Sequence, residues 1–383
     1  MYYLAIDLLY DFQCIADACP NTCCAGWNIS IDEKTYQKMV KNEEILGIAA
    51  DDWLEKKEKL YFSKLDNEQR CRMLNEKNLC NVVLKLGPEY LSDTCACYPR
   101  IISRYGSVME GNIQVSCPEI IRELMEKENV QFQFNEDEEL ASPYLHMQLY
   151  LYESAVRSSI VNIFQHPSNI TLNARLFVSY NILDKAIQLY QENQFDFNKL
   201  KRDVDECLQE DVLLSINTDI QGMVLEKERY DFLRQIQVVL HDFVEQERFR
   251  NITLRVDEYF SQDDYSQYLA DMQRFKNYSH LYDNFYINYW VCRISAKMIE
   301  IPDFERAREE FIYIAAEFCL FQIAAFVLYA ENGALDREEY IYIISCVSRR
   351  MDHNNGFKKN LMAQLKDNDV IDIVGLLLMS ISA

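Results

Sequence analysis

From Pro143 onward, apolar residues recur at spacings of three and four, the period of an α-helix that buries one face. The pattern is clearest in five segments, residues 144–164, 172–193, 229–249, 285–299 and 304–330. Residues that interrupt helices become rare: beyond Pro167 the chain has only Pro302, Gly222, Gly333, Gly356 and Gly375. This half is therefore predicted to be an all-α bundle or a stack of helix pairs.

The first 125 residues lack long periodic runs and predict shorter elements. Residues 1–12 alternate weakly, as in a short strand or an extended arm. Asp32 is a suitable helix N-cap, and Gly87-Pro88 predicts the end of one helix and the start of the next. A hairpin is predicted around residues 110–112.

Residues 126–142 are acidic and polar, and we predict a domain boundary there. The fold class is then mainly α, in two parts. An irregular cysteine-rich metal-binding domain would occupy residues 1–125, and an all-α helical domain would occupy residues 143–383. Within the second domain, DHNNGFKK from Asp352 is predicted to be a loop.

Charge excludes some partners. The chain of 383 residues has 61 acidic and 39 basic residues, a formal net charge of −22. Nucleic acid or an anionic membrane would need a basic face, so neither is predicted as a partner. An acidic surface suits a lysine-rich protein, but net charge mainly reports solubility. The longest apolar run, residues 314–330, contains Glu317 and Gln322 and predicts a buried core helix, not a membrane span.

Nine of the thirteen cysteines lie between residues 14 and 117, which indicates a local role for the thiols. They are Cys14, Cys19, Cys23, Cys24, Cys71, Cys80, Cys95, Cys97 and Cys117. The other four are scattered through helical segments and are predicted to be small buried apolar residues.

Three prolines predict the local geometry of these cysteines. Pro20 suits the first position of a helix, which would place Cys19 at its cap and the next two cysteines in its first turn. Helix N-termini lower thiol pKa values, and Cys117 before Pro118 repeats the arrangement. Pro99 favours an extended Tyr98, so Cys95 and Cys97 are expected to project on the same side.

Three chemistries use clustered cysteines. Disulfides fit poorly because the thiol count is odd, Cys23 and Cys24 are adjacent, and MYYLAIDLLYDF has no basic region or cleavage site for export. Zinc takes four ligands, commonly two pairs of cysteines spaced as in a zinc knuckle, or cysteine together with histidine. Only Cys19 and Cys23 resemble such a pair, and residues 1–145 contain no histidine. Iron–sulfur clusters accept thiolates from separate segments. The residues alone rank iron–sulfur first, zinc second and disulfides or inert thiols third.

The order of motifs resembles a known family. C-x₄-C-x₃-CC-x₂-W is followed by ISID, CRML, NLCNVVLKLG, LSDTC-x₂-YPR and VSCPE. This resembles the flagellin lysine N-methylase (FliB) family, which carries a cysteine motif assigned to zinc or iron chelation, and the likeness covers residues 1–125 through specific motifs. The resemblance implies methyl transfer from S-adenosylmethionine to lysine side chains of flagellin, with a [4Fe–4S] cluster on the cysteines. Eight cysteines match the motif: Cys14, Cys19, Cys23, Cys24, Cys71, Cys80, Cys95 and Cys117.

The familiar scaffolds for S-adenosylmethionine are missing from the sequence. Nine glycines include no GxG pair, and strands do not alternate with helices, so a Rossmann-like site is not predicted. The CxxxCxxC triplet of radical S-adenosylmethionine enzymes fails because Gly26 stands at its third position. Methyl transfer would therefore use another scaffold.

The leading hypothesis is a cytoplasmic iron–sulfur methyltransferase that modifies flagellin before export. Trp27 would cover the metal from water, Tyr98 and Arg100 would organise the surroundings of the cofactor, and Arg100 would pair with a carboxylate. The helical half would dock flagellin. The alternative is a non-catalytic zinc- or iron-binding adaptor whose helices bind a partner protein.

Overall fold

The computed structural model describes residues 2–136, 147–192, 196–223, 226–242, 247–297, 302–368 and 370–381. In chain order, strands β1 to β7 are Tyr2–Ile6, Ser30–Ile31, Leu54–Lys57, Leu60–Ser63, Arg100–Tyr105, Val108–Ile113 and Phe132–Glu136. Helices α1 to α7 are Leu8–Asp11, Glu33–Lys41, Glu43–Leu46, Ala50–Trp53, Asn81–Leu86, Asp93–Cys97 and Pro118–Glu126. Helices α8 to α19 are Met147–Phe164, Leu172–Gln191, Phe197–Cys207, Glu210–Gly222, Glu226–Ile236, Glu247–Ser261, Tyr265–Ser279, Asp283–Ala296, Phe304–Asn332, Arg337–His353, Asn355–Asp367 and Ile373–Met379. The predicted mainly α fold is confirmed.

Two small sheets organise the first third, which the sequence predicted as irregular. One sheet has the order β5-β6-β1-β7, with β1 parallel to β6 and antiparallel to β7. The other has the order β2-β4-β3. The strand predicted in residues 1–12 is β1, whereas β7 lies in the acidic stretch that was predicted as a domain boundary.

The predicted hairpin exists, but its turn was placed wrongly. The antiparallel strands β5 and β6 turn at residues 106–107, where Gly106 has a φ of +62°. Residues 110–112 lie inside β6 instead. Gly111 is there because β1 and α1 pack closely: a Cβ on it would lie 2.7 Å from the Tyr3 hydroxyl and 2.8 Å from a Leu9 methyl carbon.

The apolar residues in the described part of the chain form two cores. The smaller core surrounds Trp53 and includes Ile31, Met39 and Val82, with Cys71 inside it. The larger core joins the helical half to β1, α1 and α7. The division into residues 1–125 and 143–383 stays a prediction, since residues 137–146 lie outside the described residues.

Helix α16 is buried in the larger core, as the sequence predicted for this segment. It is long and apolar enough to cross a membrane by length and composition, but its most apolar window is wholly buried by the rest of the protein. Glu317 and Gln322 are fully buried within it. Glu317 is satisfied by an ion pair with Arg293 and a hydrogen bond from the Ser348 hydroxyl.

Two expectations in the helical half were wrong. The periodic segment 229–249 is not one helix, because α12 ends at Ile236 and a 3₁₀ turn follows at residues 237–242. The predicted loop at Asp352 is the junction of α17 and α18, where the Asn354 side chain accepts a hydrogen bond from the Phe357 amide and caps α18. Asp352 is helical and pairs with Arg293 at 2.8 Å.

Candidate metal and cofactor site

Seven of the eight cysteines that match the motif line one cavity of about 480 Å³. We call it the outer cavity, and its cysteines are Cys14, Cys19, Cys23, Cys24, Cys80, Cys95 and Cys117. Trp27, Tyr98 and Arg100 also line it. The eighth, Cys71, is buried and lines a smaller neighbouring cavity of about 30 Å³, the inner cavity, together with Cys24, Cys80 and Cys95. Segments far apart in the sequence thus bring these thiols together.

The helix predicted to begin at Pro20 does not form. Residues 16–18 are a 3₁₀ turn that ends at Cys19, and Cys23 and Cys24 lie in a turn. The carbonyl oxygens that a helix would use are taken by the buried Arg349 of α17, which donates to Asn21 O at 2.9 Å and to Thr22 O at 2.8 Å. Hydrogen bonds from a distant side chain therefore take the place of the hydrogen bonds within a local helix.

The loop that carries Cys19, Cys23 and Cys24, which we call the cysteine loop, is held by helix α17 through several polar contacts. Arg349 also donates to the Asn21 side-chain oxygen at 2.8 Å. The side-chain amide nitrogen of Asn21, Nδ2, donates in turn to Ser345 Oγ at 2.8 Å and to Cys346 Sγ at 3.3 Å. The Cys71 amide donates to Cys24 O at 2.7 Å, which ties the other end of the loop to the small core.

Cys95 and Cys97 do not share a side, contrary to the prediction. The Ser92 side chain accepts a hydrogen bond from the Cys95 amide at 3.2 Å and caps the short helix α6. Residues two apart on a helix point about 200° apart. Cys95 accordingly lines both cavities, whereas Cys97 is exposed and lines neither. Tyr98 is extended as predicted, with a ψ of 134°.

The cap predicted at Cys117 is confirmed, but its effect on acidity is reversed. Cys117 is the N-cap of α7, and Pro118 is the first helical residue. Burial raises the pKa of Cys117 to about 12, although backbone hydrogen bonds from Ile120 and Glu119 oppose it. Burial also raises the pKa of Cys71 to about 12 and that of Cys95 to about 11. These three thiols are neutral at pH 7 without a metal.

The pKa of Cys23 shifts in the opposite direction to those of Cys71, Cys95 and Cys117. Its pKa is lowered, first by the hydrogen bond with the neighbouring Cys24 thiol and further by the positive charge of Arg349. The two sulfur atoms are 4.0 Å apart. Cys23 is therefore the thiol of this group that is best prepared to ionise.

The three residues predicted to bind the cofactor frame the outer cavity. Trp27 donates its indole N–H to Cys23 O at 2.8 Å and stacks on His353, with ring centroids 3.9 Å apart. The Tyr98 hydroxyl is 3.1 Å from Ser116 Oγ. Arg100 was expected to pair with a carboxylate, but it donates to Leu9 O at 3.0 Å and Phe12 O at 2.9 Å.

The donor set is rich in soft thiolate ligands, which select zinc, copper(I) and iron–sulfur clusters. Among the described residues, no three His, Cys, Asp or Glu side chains already stand close enough to hold a single metal ion. A tetrahedral zinc ion would bring four sulfur atoms to within about 4 Å of one another. Thiols spread around the outer cavity fit a larger group, in which each metal atom takes its own thiolate.

Arg349 and His353 are the site residues that sequence reasoning missed. They lie on α17, more than 300 residues from the cysteine loop that they contact. Neither belongs to a motif or a spacing pattern, so no signal in the sequence linked them to the thiols.

Comparisons with known proteins found one matching family model and several relatives. The model for the FliB lysine N-methylase C-terminal domain matches residues 157–379, more than half of the chain. A flagellar biosynthetic protein FliU of Salmonella muenchen is 32% identical over 120 residues, which are 30% of this chain and 71% of that protein. Lysine-N-methylases of Salmonella typhimurium and Salmonella choleraesuis are also 32% identical over 120 residues, 30% of this chain but only 30% of each relative. No solved structure matches the chain significantly.

Proposed function

Because the chain belongs to the FliB lysine N-methylase family, we propose that it is a protein lysine N-methyltransferase that methylates flagellin in the cytoplasm. S-adenosylmethionine would be the methyl donor, and the cysteine-rich N-terminal third would hold a [4Fe–4S] cluster. The relatives named lysine-N-methylase and flagellar biosynthetic protein support the reaction and the flagellar substrate class.

The observation that carries this proposal is the outer cavity. Cysteines from separate segments, Cys14 to Cys24, Cys80, Cys95 and Cys117, line one space of about 480 Å³. Buried thiols with no ligand gain nothing from such an arrangement, whereas a cluster needs thiolates converging from several directions. The space also exceeds what a single ion requires, which leaves room for a cosubstrate beside the metal.

Cysteines of the outer cavity would ligate the metal, and when bound the cluster would supply the iron that activates or positions S-adenosylmethionine. The protein's own residues have separate tasks. Trp27 covers one side of the thiols and is held flat by His353. Phe12, Leu84 and Leu91 add apolar side chains to the lining of the cavity.

Arg100 and Tyr98 fix the wall near Cys117. Arg100 binds the carbonyl groups at the end of α1, and its guanidinium lies 5.1 Å from the centre of the Phe12 ring. Tyr98 is tied to Ser116, the neighbour of Cys117. These contacts orient backbone and rings around the space where a lysine side chain and a methyl donor would meet.

The test is mass spectrometry of flagellin co-expressed with this chain, read for mono-, di- and trimethylated lysine. Wild type is expected to methylate flagellin, and Cys97→Ser should match it because Cys97 lies outside both cavities. Cys23→Ser should abolish methylation together with the bound iron. An iron-containing chain that leaves flagellin unmodified would instead favour the adaptor, and retained methylation in iron-free Cys23→Ser would separate the metal from catalysis.

A further inference from the structure

The eight motif cysteines divide between the two cavities. Cys71 lines only the inner cavity, while Cys14, Cys19, Cys23 and Cys117 line only the outer one. Cys24, Cys80 and Cys95 form the wall between the cavities and line both. If Cys71 binds a metal ion, the other ligands must come from the thiols that share the inner cavity with it, and these are Cys24, Cys80 and Cys95.

Packing separates the same groups. Cys71 is part of the small core, and Cys24, Cys80 and Cys95 pack against that core. Cys117 belongs to the large core instead. A single centre would have to draw its ligands across the boundary between two cores, whereas an inner centre would use only thiols that contact the small core.

The backbone ties the inner group together. The Cys71 amide donates to Cys24 O at 2.7 Å. Antiparallel bridges join Leu65 to Cys71 and Leu74 to Cys80, which folds both cysteines onto one compact loop.

The outer group is held from the opposite side. Cys19 and Cys23 belong to the loop that Arg349 fixes to α17. Cys23 and Cys24 are adjacent in sequence and both line the outer cavity, but only Cys24 also lines the inner one, so we place them in different groups.

We propose that the chain contains two separate metal centres. The outer quartet comprises Cys14, Cys19, Cys23 and Cys117, and the inner quartet comprises Cys24, Cys71, Cys80 and Cys95. This inference rests on the proposed metal-dependent function but goes beyond it, because it assigns a second, structural centre. The inner quartet lines a cavity of about 30 Å³, which is large enough for a particle the size of a water molecule. Its four thiols would fill the four positions of a structural Cys₄ zinc site, and it would take one thiophilic ion, with its sulfur atoms drawn inward on binding.

The experiment is metal and sulfide analysis of the full chain, purified without oxygen, for wild type and three variants. Wild type should contain about four irons, about four sulfides and one zinc per chain. Cys71→Ser should lose the zinc, keep its iron and its visible absorption, and unfold at a temperature about 5 °C or more below wild type. Cys117→Ser should lose iron and sulfide and keep the zinc, and the exposed Cys97→Ser should match wild type.

The outcomes separate this inference from the proposed function. Iron and sulfide without a second metal in wild type would overturn the inner centre and leave the iron–sulfur function standing. Loss of all metal from folded Cys71→Ser, or from folded Cys117→Ser, would also overturn it by revealing one shared centre. Wild type free of any metal would overturn both. Because the wild-type composition is decisive by itself, a variant that fails to fold does not leave the question open.

Discussion

Arg349 donates hydrogen bonds to both oxygen atoms of Asn21, a residue 328 positions earlier in the chain. The contact is fully inside the protein, since Arg349 is 3% and Asn21 is 5% exposed. It places a permanent positive charge beside the cysteine loop and fixes the loop's backbone. The helical half therefore helps to position the thiols of the N-terminal third.

Arg349→Met should destabilise the protein and weaken metal binding. The substitution leaves the carbonyl groups of Asn21 and Thr22 buried without their donor, which costs about 2–4 kcal/mol of unfolding free energy. Urea unfolding and iron content of the purified chain measure the two effects.

Arg337→Met is the matched control on the same helix. Arg337 is exposed, and its pair with Glu126 joins two exposed side chains at 2.9 Å. Its loss should cost no more than about 0.5 kcal/mol. Equal effects from the two substitutions would show that Arg349 has no special part in holding the cysteine loop.

His353 should make the protein less stable in mild acid. Burial lowers its pKa from 6.5 to about 4. The folded state therefore binds fewer protons than the unfolded state between pH 6.5 and pH 4, so stability is present above pH 6.5 and falls as the pH drops through that window. The shift corresponds to at most about 3 kcal/mol.

His353→Phe removes this titration and keeps a ring against Trp27. Urea unfolding at pH 7 and pH 5 should show a smaller loss of stability for the variant than for wild type. His166→Phe provides a control at a histidine that does not contact the cysteine site. Identical pH dependence in wild type and His353→Phe would mean that His353 is not held neutral.

The sequence predicted the elements whose cause is local. Helices α9 and α16 follow from long apolar periodicity, and the N-cap at Cys117 follows from the proline beside it. The eight cysteines were selected by a resemblance, and their convergence on two adjacent cavities is a tertiary fact.

The sequence-based predictions were wrong where contacts with distant residues, or competing local signals, decide the structure. The loop at Asn21 looked helical because its real partner, Arg349, comes from the other end of the chain. The pairing of β1 with β6 joins strands about one hundred residues apart, which alternation within one strand does not reveal. At Cys95 the decisive signal was present: Ser92 three residues earlier is a good N-cap, and the short helix it begins turns Cys95 and Cys97 to different sides.

Gly111→Ala should destabilise the sheet that leads to Cys117. The new methyl carbon would lie 2.7 Å from the Tyr3 hydroxyl, 2.8 Å from a Leu9 methyl carbon and 3.0 Å from Ala5 Cβ. Relief of this overlap requires β1 and α1 to move, at a cost of about 1–3 kcal/mol. Gly222→Ala is the control, because nothing lies within 4 Å of a Cβ there. In thermal unfolding Gly111→Ala should fall below wild type and Gly222→Ala should not. A neutral Gly111→Ala would refute the tight packing.

Cys95 and Cys97 offer the sharpest comparison within the cysteine motif, because they are two residues apart on α6 but face different surroundings. Cys95 lines both cavities, and burial raises its pKa to about 11, whereas Cys97 is exposed. Cys95→Ser should therefore lower the metal content and the unfolding temperature, and Cys97→Ser should change neither. Metal analysis and thermal unfolding of the two variants, prepared side by side without oxygen, measure the difference. If Cys97→Ser loses metal as readily as Cys95→Ser, α6 does not direct one thiol inward and the other to solvent in the metal-bound protein.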